Sequence, residues 1–231
     1  MLKNTRINLL ATKKVATALG DLNPVVVFIG GAVVSFYIDD PAAADVRPTK
    51  DIDIGLQITT IPQLEEIREM LIARGFKQSH QDDVTCRFRV DDVLVDVMST
   101  QEIGWAPANP WFKPGLPYLI QQQIEGITIN LLPLPYFLAT KFSAFYSRGG
   151  SDPRVSQDFE DIVYIMNYRS DFLVQIEKSD RKVRDYLAAC CKDIAQNSDL
   201  QEAIVGNLYY EEQEYGFKKI MQYVLEIARF R

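Results

Sequence analysis

The sequence predicts an α+β fold, with a small mixed sheet and flanking helices in residues 1–132 and a helical domain in residues 133–231. Short runs rich in β-branched residues occur up to Leu131, whereas only helical patterns follow it. Strands in the first part of a chain and only helices in the second part are typical of α+β proteins. The length of 231 residues and the 47% hydrophobic content are sufficient for a substantial core.

The elements of the first domain are predicted from hydrophobic periodicity and from the turn residues between them. Pro24 precedes the first strand, Gly30 and Gly31 end it, and Gly75 ends a long helix. Asp91-Asp92 reads as the tight turn of a hairpin. The predicted elements are a helix at 2–22, a strand at 25–29, a short helix at 32–38, a strand at 51–56, a helix at 61–74, hairpin strands at 84–90 and 93–98, and a strand at 127–131.

Residues 102–117 are rich in glycine and proline and contain both tryptophans, Trp105 and Trp111. This composition predicts an irregular surface loop or lid. The tryptophans either stack on a nucleobase or pack onto the domain. His80, the single histidine, is expected to lie in a surface loop.

The second domain is predicted to contain helices at 134–147, 155–168, 181–196 and 208–230. Lys141 and Arg148 are seven residues apart and therefore lie on nearly one face of the first of these helices. Asp158 and Asp161 share a face of the next helix. Each of these four residues has a structural alternative, as a helix-end charge, a cap or an ion-pair partner. We expect a functional site in a cleft between the two domains.

Composition excludes several classes of protein. The net charge of −6 means that the whole molecule does not attract polyanions, so an RNA partner would need a local basic patch. The N-terminus lacks the apolar run of a signal peptide, and no run of about 18 apolar residues predicts a membrane span. We expect a cytoplasmic protein with no membrane partner. The three cysteines lack zinc-site spacing and are expected to be reduced thiols.

Three aspartates form the most informative pattern. Asp51 and Asp53 alternate on a predicted strand and therefore project from the same face, while Ile52 points into the core. Asp96 lies in a second strongly β-forming run. Carboxylate ligands without histidine or thiolate favour Mg²⁺ or Mn²⁺. The pattern predicts a metal site, and the alternative is a solvated strand face with Gly30-Gly31 as a simple turn.

The order of these motifs resembles a known family. The chain contains, in this order, a Gly-Gly step, R-x-T-K-D-I-D, an isolated strand aspartate, K-x-x-A-x-x-x-R and D-F-E-D-I. This order is similar to that of the AbiEii-type nucleotidyltransferases. That family belongs to the DNA polymerase beta-like superfamily and includes toxins of type IV toxin-antitoxin pairs. The resemblance spans residues 26–165. It departs at Ala32, where many superfamily members have serine after the second glycine.

The resemblance implies a nucleotidyltransferase-type sheet and a role for each matching position. Gly30 and Gly31 would meet the triphosphate through their backbone, and Arg47 and Thr49 match the R-x-T lead-in. The remaining implied residues are Asp51, Asp53 and Asp96 as metal ligands, Lys141 and Arg148 as phosphate contacts, and Asp158 as the acid of the final motif.

The implied reaction is in-line attack of an acceptor on the α-phosphate of an NTP, with pyrophosphate leaving and two metals about 3.5–4 Å apart. The acceptor would be RNA, tRNA or protein, and an antitoxin would be a further partner. Candidate RNA-binding cations are Lys113, Lys141, Arg148, Arg154, Arg169, Arg181, Lys182 and Arg184. Two alternatives stay open: a non-catalytic nucleotide or protein-binding module, and a transferase that modifies a small molecule such as an antibiotic.

Overall fold

The computed structural model describes residues 2–78, 86–148 and 152–230, and it confirms the α+β fold class with a mixed sheet. The chain divides into two compact units. The first comprises Met1–Phe36 and Asp45–Pro133, and the second comprises Tyr37–Ala44 and Leu134–Arg231.

The first unit is built around a six-stranded sheet in the order β3-β4-β2-β1-β6-β5. The β2/β4 and β1/β6 pairs are parallel, and the other neighbours are antiparallel. The strands are β1 (Val27–Ile29), β2 (Asp51–Leu56), β3 (Arg87–Val90), β4 (Val93–Ser99), β5 (Ile120–Ile124) and β6 (Ile127–Leu131). The helices are α1 (Lys3–Leu19), α2 (Ile61–Ala73) and the short α3 (Phe112–Gly115), with 3₁₀ turns at Gly20–Val25, Gly31–Tyr37 and Leu116–Tyr118.

Alternation along β4 explains how this sheet orients its polar side chains. Val93, Val95 and Val97 are buried, while Leu94, Asp96 and Met98 on the other face are partly exposed. On β2, Ile52 and Ile54 are fully buried, and they alternate with the partly exposed Asp51 and Asp53. The period of two therefore places the three aspartates on the less buried side, as the sequence predicts.

One strand of this unit was not predicted. The sequence of β5, IQQQI, is dominated by glutamines and lacks the β-branched pattern of the other strands. It pairs with β6 across a tight turn in which Glu125 and Gly126 both have positive φ values, of 44° and 89°. Pairing with an existing strand, rather than local propensity, makes it a strand.

The loop at 102–117 is partly ordered by its tryptophans. Trp111 is buried, and Trp105 donates from Nε1 to Glu65 at 3.1 Å and packs against Phe88. Both rings therefore pack onto the unit, which is the second of the two interpretations considered for them.

The second unit is helical, with α4 packed against α5 and α7, and α9 against α5 and α7. Its elements are α4 (Leu134–Ser147), a 3₁₀ turn at Pro153–Val155, α5 (Gln157–Tyr168), α6 (Phe172–Glu177), α7 (Arg181–Gln196), α8 (Ser198–Gly206), a 3₁₀ turn at Tyr210–Glu212, and α9 (Gln213–Ile227). The sequence did not predict α6 and α8, because six and nine residues are too few to display a clear helical period.

The second unit also includes residues 37–44, which lie within the first domain predicted from the sequence. The ring of Tyr37 stacks on Phe137 with their centroids 4.2 Å apart. The backbone N–H of Asp39 donates to the carbonyl of Tyr168, and Tyr164 donates its hydroxyl to the carbonyl of Ala44. These contacts join residues far apart in sequence, so the local pattern could not reveal them.

Within the described residues, no helix is both long and apolar enough to cross a membrane. His80 and the beginning of the predicted hairpin, residues 84–85, lie outside the described residues.

Candidate active site

The sheet of the first unit brings the three predicted aspartates onto neighbouring strands. Asp53 on β2 is the direct parallel partner of Asp96 on β4, and Asp51 lies two residues earlier on the same face. Their flanking residues Ile52 and Val95 are buried on the opposite face. Parallel pairing of β2 with β4, which the sequence did not specify, places the carboxylates together.

The Gly-Gly step lies against one of these carboxylates, that of Asp53. Asp53 is also the antiparallel partner of Ile29, the residue before Gly30. Gly30 has a φ of +74°, and a β-carbon there would be 1.8 Å from Oδ2 of Asp53. Glycine is therefore required at this position both for its backbone conformation and for the space that the carboxylate occupies.

The second glycine lies against the R-x-T segment. A β-carbon on Gly31 would be 2.3 Å from Nη2 of Arg47 and 2.8 Å from Cγ2 of Thr49. The glycine pair, Arg47, Thr49 and Asp53 therefore form one local group in the first unit. The structure brings these sequence-predicted residues together.

Asn8 on α1 holds the R-x-T segment, a role that was not predicted from the sequence. Its side chain is 1% exposed; Nδ2 donates to the carbonyl of Arg47, and Oδ1 accepts from the N–H and the hydroxyl of Thr49. A polar residue at a buried position of an amphipathic helix was the available signal.

Asp45 attaches the beginning of the same segment to α1. Its carboxylate accepts from the backbone N–H groups of Asn4 and Thr5 and from the Thr5 hydroxyl. Burial alone would raise the pKa of the Asp45 carboxyl, but these hydrogen bonds lower it by favouring the charged form. The segment therefore has two anchors on the N-terminal half of α1.

Arg87 is the second site residue that was not predicted from the sequence. It lies on the edge strand β3, opposite Asp96. Its Nε donates to Oδ1 of Asp96 at 2.7 Å, and its Nη2 donates to Oδ2 of Asp96 at 2.6 Å and to Oδ2 of Asp51 at 2.9 Å. One guanidinium thus bridges two of the three predicted metal ligands.

The donor chemistry of this group fits a hard divalent cation. The available ligand atoms are the carboxylate oxygens of Asp51, Asp53 and Asp96. Two of these residues, Asp51 and Asp96, already share one positive charge, that of the Arg87 guanidinium. In the part of the chain that the structure describes, no three His, Cys, Asp or Glu side chains are arranged to hold a metal as they stand. A cation shared by Asp51 and Asp96 would therefore require Arg87 to move.

Cys86, next to Arg87, is not a nucleophile at neutral pH. Burial, together with the negative charge of Asp96, raises the pKa of its thiol to about 11. Cys190 and Cys191 on α7 are also buried and, like Cys86, form no disulfide. The prediction of reduced thiols is consistent with these positions.

The second unit contains a buried ion cluster. Nζ of Lys141 lies 2.7 Å from Oδ2 of Asp161 and 3.3 Å from Oδ1 of Asp158, and all three side chains are at most 7% exposed. The ammonium also lies 5.7 Å from the centre of the Phe137 ring. The structure thus brings Lys141 together with Asp158, and Asp161 is the closer partner.

Arg148 adds an exposed charge to this cluster. Its Nη1 lies 2.9 Å from Oδ2 of Asp158, but its side chain is 67% exposed. Among the described residues, that buried oxygen accepts no well-directed hydrogen bond. Three of the other six candidate RNA-binding cations pair with described acids of their own unit. They are Arg154 with Asp152, Arg169 with Asp171, and Arg181 with Asp185.

A family model described as "Nucleotidyl transferase AbiEii toxin, Type IV TA system" matches residues 15–226. The chain belongs to the AbiEii nucleotidyltransferase toxin family. The match extends over the aspartate strands of the first unit and the Lys141 cluster of the second. A sequence search of curated proteins finds no match to this AbiEii family member.

Two solved structures resemble this AbiEii family member at low sequence identity. An antigenic nucleotidyltransferase-like protein from Paracoccidioides brasiliensis is 18% identical, with a TM-score of 0.47, and the alignment covers 92% of this chain and 96% of that chain. JHP933 from Helicobacter pylori is 9% identical, with a TM-score of 0.46, and the alignment covers 99% of this chain and 94% of that chain.

Proposed function

We propose that this protein is a metal-dependent nucleotidyltransferase that moves an NMP from an NTP to an acceptor. An acceptor oxygen forms a bond to the α-phosphorus, the bond from that phosphorus to the bridging oxygen of the β-phosphate breaks, and pyrophosphate leaves with the bonding electrons. The acceptor hydroxyl loses its proton in the process. Membership of the AbiEii family supports the reaction class.

The observation that carries this proposal is the pairing of Asp53 with Asp96, with Asp51 on the same face. These carboxylates are the proposed ligands of Mg²⁺ or Mn²⁺. The metal would supply positive charge that stabilises the phosphate oxygens during transfer. Arg87 pairs with Asp51 and Asp96 in the metal-free protein, so it must leave them before a cation can bind there.

The glycine step is the proposed triphosphate contact of the first unit. Neither Gly30 nor Gly31 has a side chain to block close approach of a phosphate to the backbone. Arg47, whose guanidinium lies beside Gly31, is a source of positive charge for the phosphates, and Thr49 offers a hydroxyl. Asn8 and Asp45 keep this segment in place.

Catalytic roles for Lys141 and Asp158 stay predictions. The ammonium of Lys141 is held between Asp158 and Asp161, so contact with a phosphate would require it to leave at least one carboxylate. Arg148 also pairs with Asp158, but its side chain is 67% exposed, so it can contact a phosphate without moving a buried charge. We therefore assign Lys141 primarily to the stability of the cluster and Arg148 to the phosphate contact.

The test is transfer of label from each of four α-³²P-labelled NTPs, with Mg²⁺ and a cell extract that contains RNA and protein. Wild-type protein is compared with Asp53→Asn and Asp96→Asn, and with Asp92→Asn as the matched control. Asp92 is an exposed turn residue that pairs with Lys14, so the control makes the same chemical change away from the site.

We expect label transfer by the wild-type protein and by Asp92→Asn, and a loss of at least about 100-fold in the other two variants. Label that nuclease removes identifies RNA or tRNA as the acceptor, and label that protease removes identifies protein. Undiminished transfer by Asp53→Asn or Asp96→Asn would contradict the metal assignment. Absence of transfer with every NTP would favour the small-molecule transferase or the binding module.

We also propose that this activity is toxic to a host cell and that a cognate antitoxin counteracts it, since the family is described as a type IV toxin. Induced expression of the wild-type chain should stop growth, whereas the Asp53→Asn variant should not. Equal toxicity of the two proteins at equal expression would show that toxicity does not depend on nucleotide transfer.

A further inference from the structure

The position of Arg87 carries a further inference, which rests on the proposed metal-binding function. Three hydrogen bonds of 2.6–2.9 Å join its guanidinium to Asp51 and Asp96. Two of them form a bidentate contact with Asp96. Such charge-assisted, paired hydrogen bonds are among the strong ones in proteins.

The three side chains are also shielded from solvent to a large extent. Exposure is 19% for Arg87, 13% for Asp96 and 33% for Asp51. Water and salt therefore screen the interaction only in part. A divalent cation between the same two carboxylates would lie close to the guanidinium, and their like charges would repel strongly in this environment.

We propose that Arg87 is an internal counter-ion of the metal site. In the metal-free protein its guanidinium occupies the place where Asp51 and Asp96 converge, and it neutralises them. A metal binds to these two carboxylates only when the guanidinium withdraws, so binding of metal and pairing of Arg87 exclude each other. The apparent metal affinity is then the intrinsic affinity multiplied by the fraction of molecules in which Arg87 has withdrawn.

The location of Arg87 makes withdrawal feasible without unfolding the sheet. It belongs to β3, the last strand in the sheet order, which pairs with β4 along one side. On the other side the described residues form a single bridge, between Arg89 and Lys77, which leaves Arg87 outside that contact. Its long flexible side chain can change rotamer while the backbone pairs Arg87 with Asp96 and Phe88 with Val95 persist. A lysine at this position would retain a charge but lose the bidentate geometry.

The experiment measures Mn²⁺ binding by calorimetry to the full-length metal-free protein and to its Arg87→Ala and Arg87→Lys variants. The matched control is Arg68→Ala, which removes the same charge from an exposed ion pair with Glu65 on α2. Asp96→Asn serves as a reference in which the carboxylate pair is broken. Thermal unfolding is recorded for each protein with and without Mn²⁺.

We expect the apparent Kd for Mn²⁺ to fall at least tenfold in Arg87→Ala, to fall less in Arg87→Lys, and to stay unchanged in Arg68→Ala. Without metal, we also expect Arg87→Ala to unfold at a lower temperature than the wild type. Mn²⁺ should raise the unfolding temperature of Arg87→Ala by more than that of the wild type. If Arg87→Ala folds poorly, the Arg87→Lys comparison alone decides, because a tighter Kd is required there too.

Unchanged or weaker Mn²⁺ binding in both Arg87 variants would overturn the counter-ion role while leaving the metal site intact. If neither the wild type nor any Arg87 variant binds Mn²⁺, the metal-dependent function itself fails, and this inference fails with it. The two failures are therefore distinguishable by whether the wild-type protein binds the metal.

Discussion

The carboxylate of Asp53 lies against the α-carbon of Gly30, at the place that any side chain on residue 30 would occupy. The pairing of β1 with β2 produces this contact, since Asp53 is the partner of Ile29, immediately before the glycine. The turn of the Gly-Gly step and the position of a proposed metal ligand are thus coupled.

Replacement of Gly30 by alanine should therefore damage both stability and activity. The new β-carbon would collide with Asp53 and would also strain a backbone with positive φ. We expect kcat/KM to fall about 100-fold, as for a displaced catalytic group. We expect the free energy of unfolding to fall by about 1–3 kcal/mol from overpacking, in addition to the backbone strain.

Gly75→Ala is the matched control. Gly75 also has a positive φ, of 87°, but a β-carbon there would meet no atom within 4 Å. It should lose only about 1–2 kcal/mol from backbone strain and retain activity. Equal losses in the two variants, measured by denaturant unfolding and label transfer, would show that the Asp53 contact is unimportant.

Asn8→Ala should raise the KM for the NTP. The substitution removes the hydrogen bonds that hold Arg47 and Thr49 beside the glycine step, and it leaves buried polar groups unpaired at a cost of about 1–3 kcal/mol. The control is Asn23→Ala, another buried asparagine, whose amide donates to the carbonyl of Thr128 instead. A similar KM in both variants would contradict the positioning role.

Lys141→Met should destabilise the protein strongly. It leaves Asp158 and Asp161 buried without their shared cation, which typically costs about 3–5 kcal/mol. Arg148→Met should cost at most about 1 kcal/mol, because that side chain is largely exposed. Denaturant unfolding of both variants checks the difference, and a Lys141→Met protein as stable as Arg148→Met would show that the cluster is not structural.

The same two variants separate stability from phosphate binding. Under conditions in which both proteins are folded, we expect Arg148→Met to raise the KM for the NTP more than Lys141→Met does. A larger KM effect of Lys141→Met in the folded protein would restore the phosphate role that the family resemblance implies for that lysine.

Alkaline pH should weaken the fold through the buried thiols. Burial raises the pKa of Cys190 from 9.0 to about 12, so the folded protein retains a proton that the unfolded chain loses above pH 9. The free energy of unfolding must then fall as pH rises between about 9 and about 12. It should fall less steeply in Cys190→Ala, and identical slopes would contradict the assignment.

Native thiol labelling provides a separate check of the cysteines. Because Cys86, Cys190 and Cys191 are all buried, we expect slow reaction with a thiol reagent at pH 7.5 until denaturant is added. Rapid labelling of one thiol in the folded protein would show that this thiol is accessible to solvent and would contradict its burial.

Local sequence patterns were sufficient for much of this protein. The alternation in β2 and β4 and the helical period of α2 and α4 are encoded within each segment, so the fold class and these elements could be predicted. The same alternation placed Asp51 and Asp53 on one face. The strand β5 and the helices α6 and α8 escaped prediction because tertiary pairing or packing, rather than a local period, stabilises them.

Contacts between distant residues account for the rest. The parallel register of β2 and β4 brings Asp53 opposite Asp96, and Arg87 reaches Asp51 across 36 residues of sequence. Asn8 reaches Arg47 across 39. An arginine in a strand and an asparagine in a helix carry no sign of these partners in the chain itself. Their roles follow from strand register and helix placement, which are set by the packing of the whole unit.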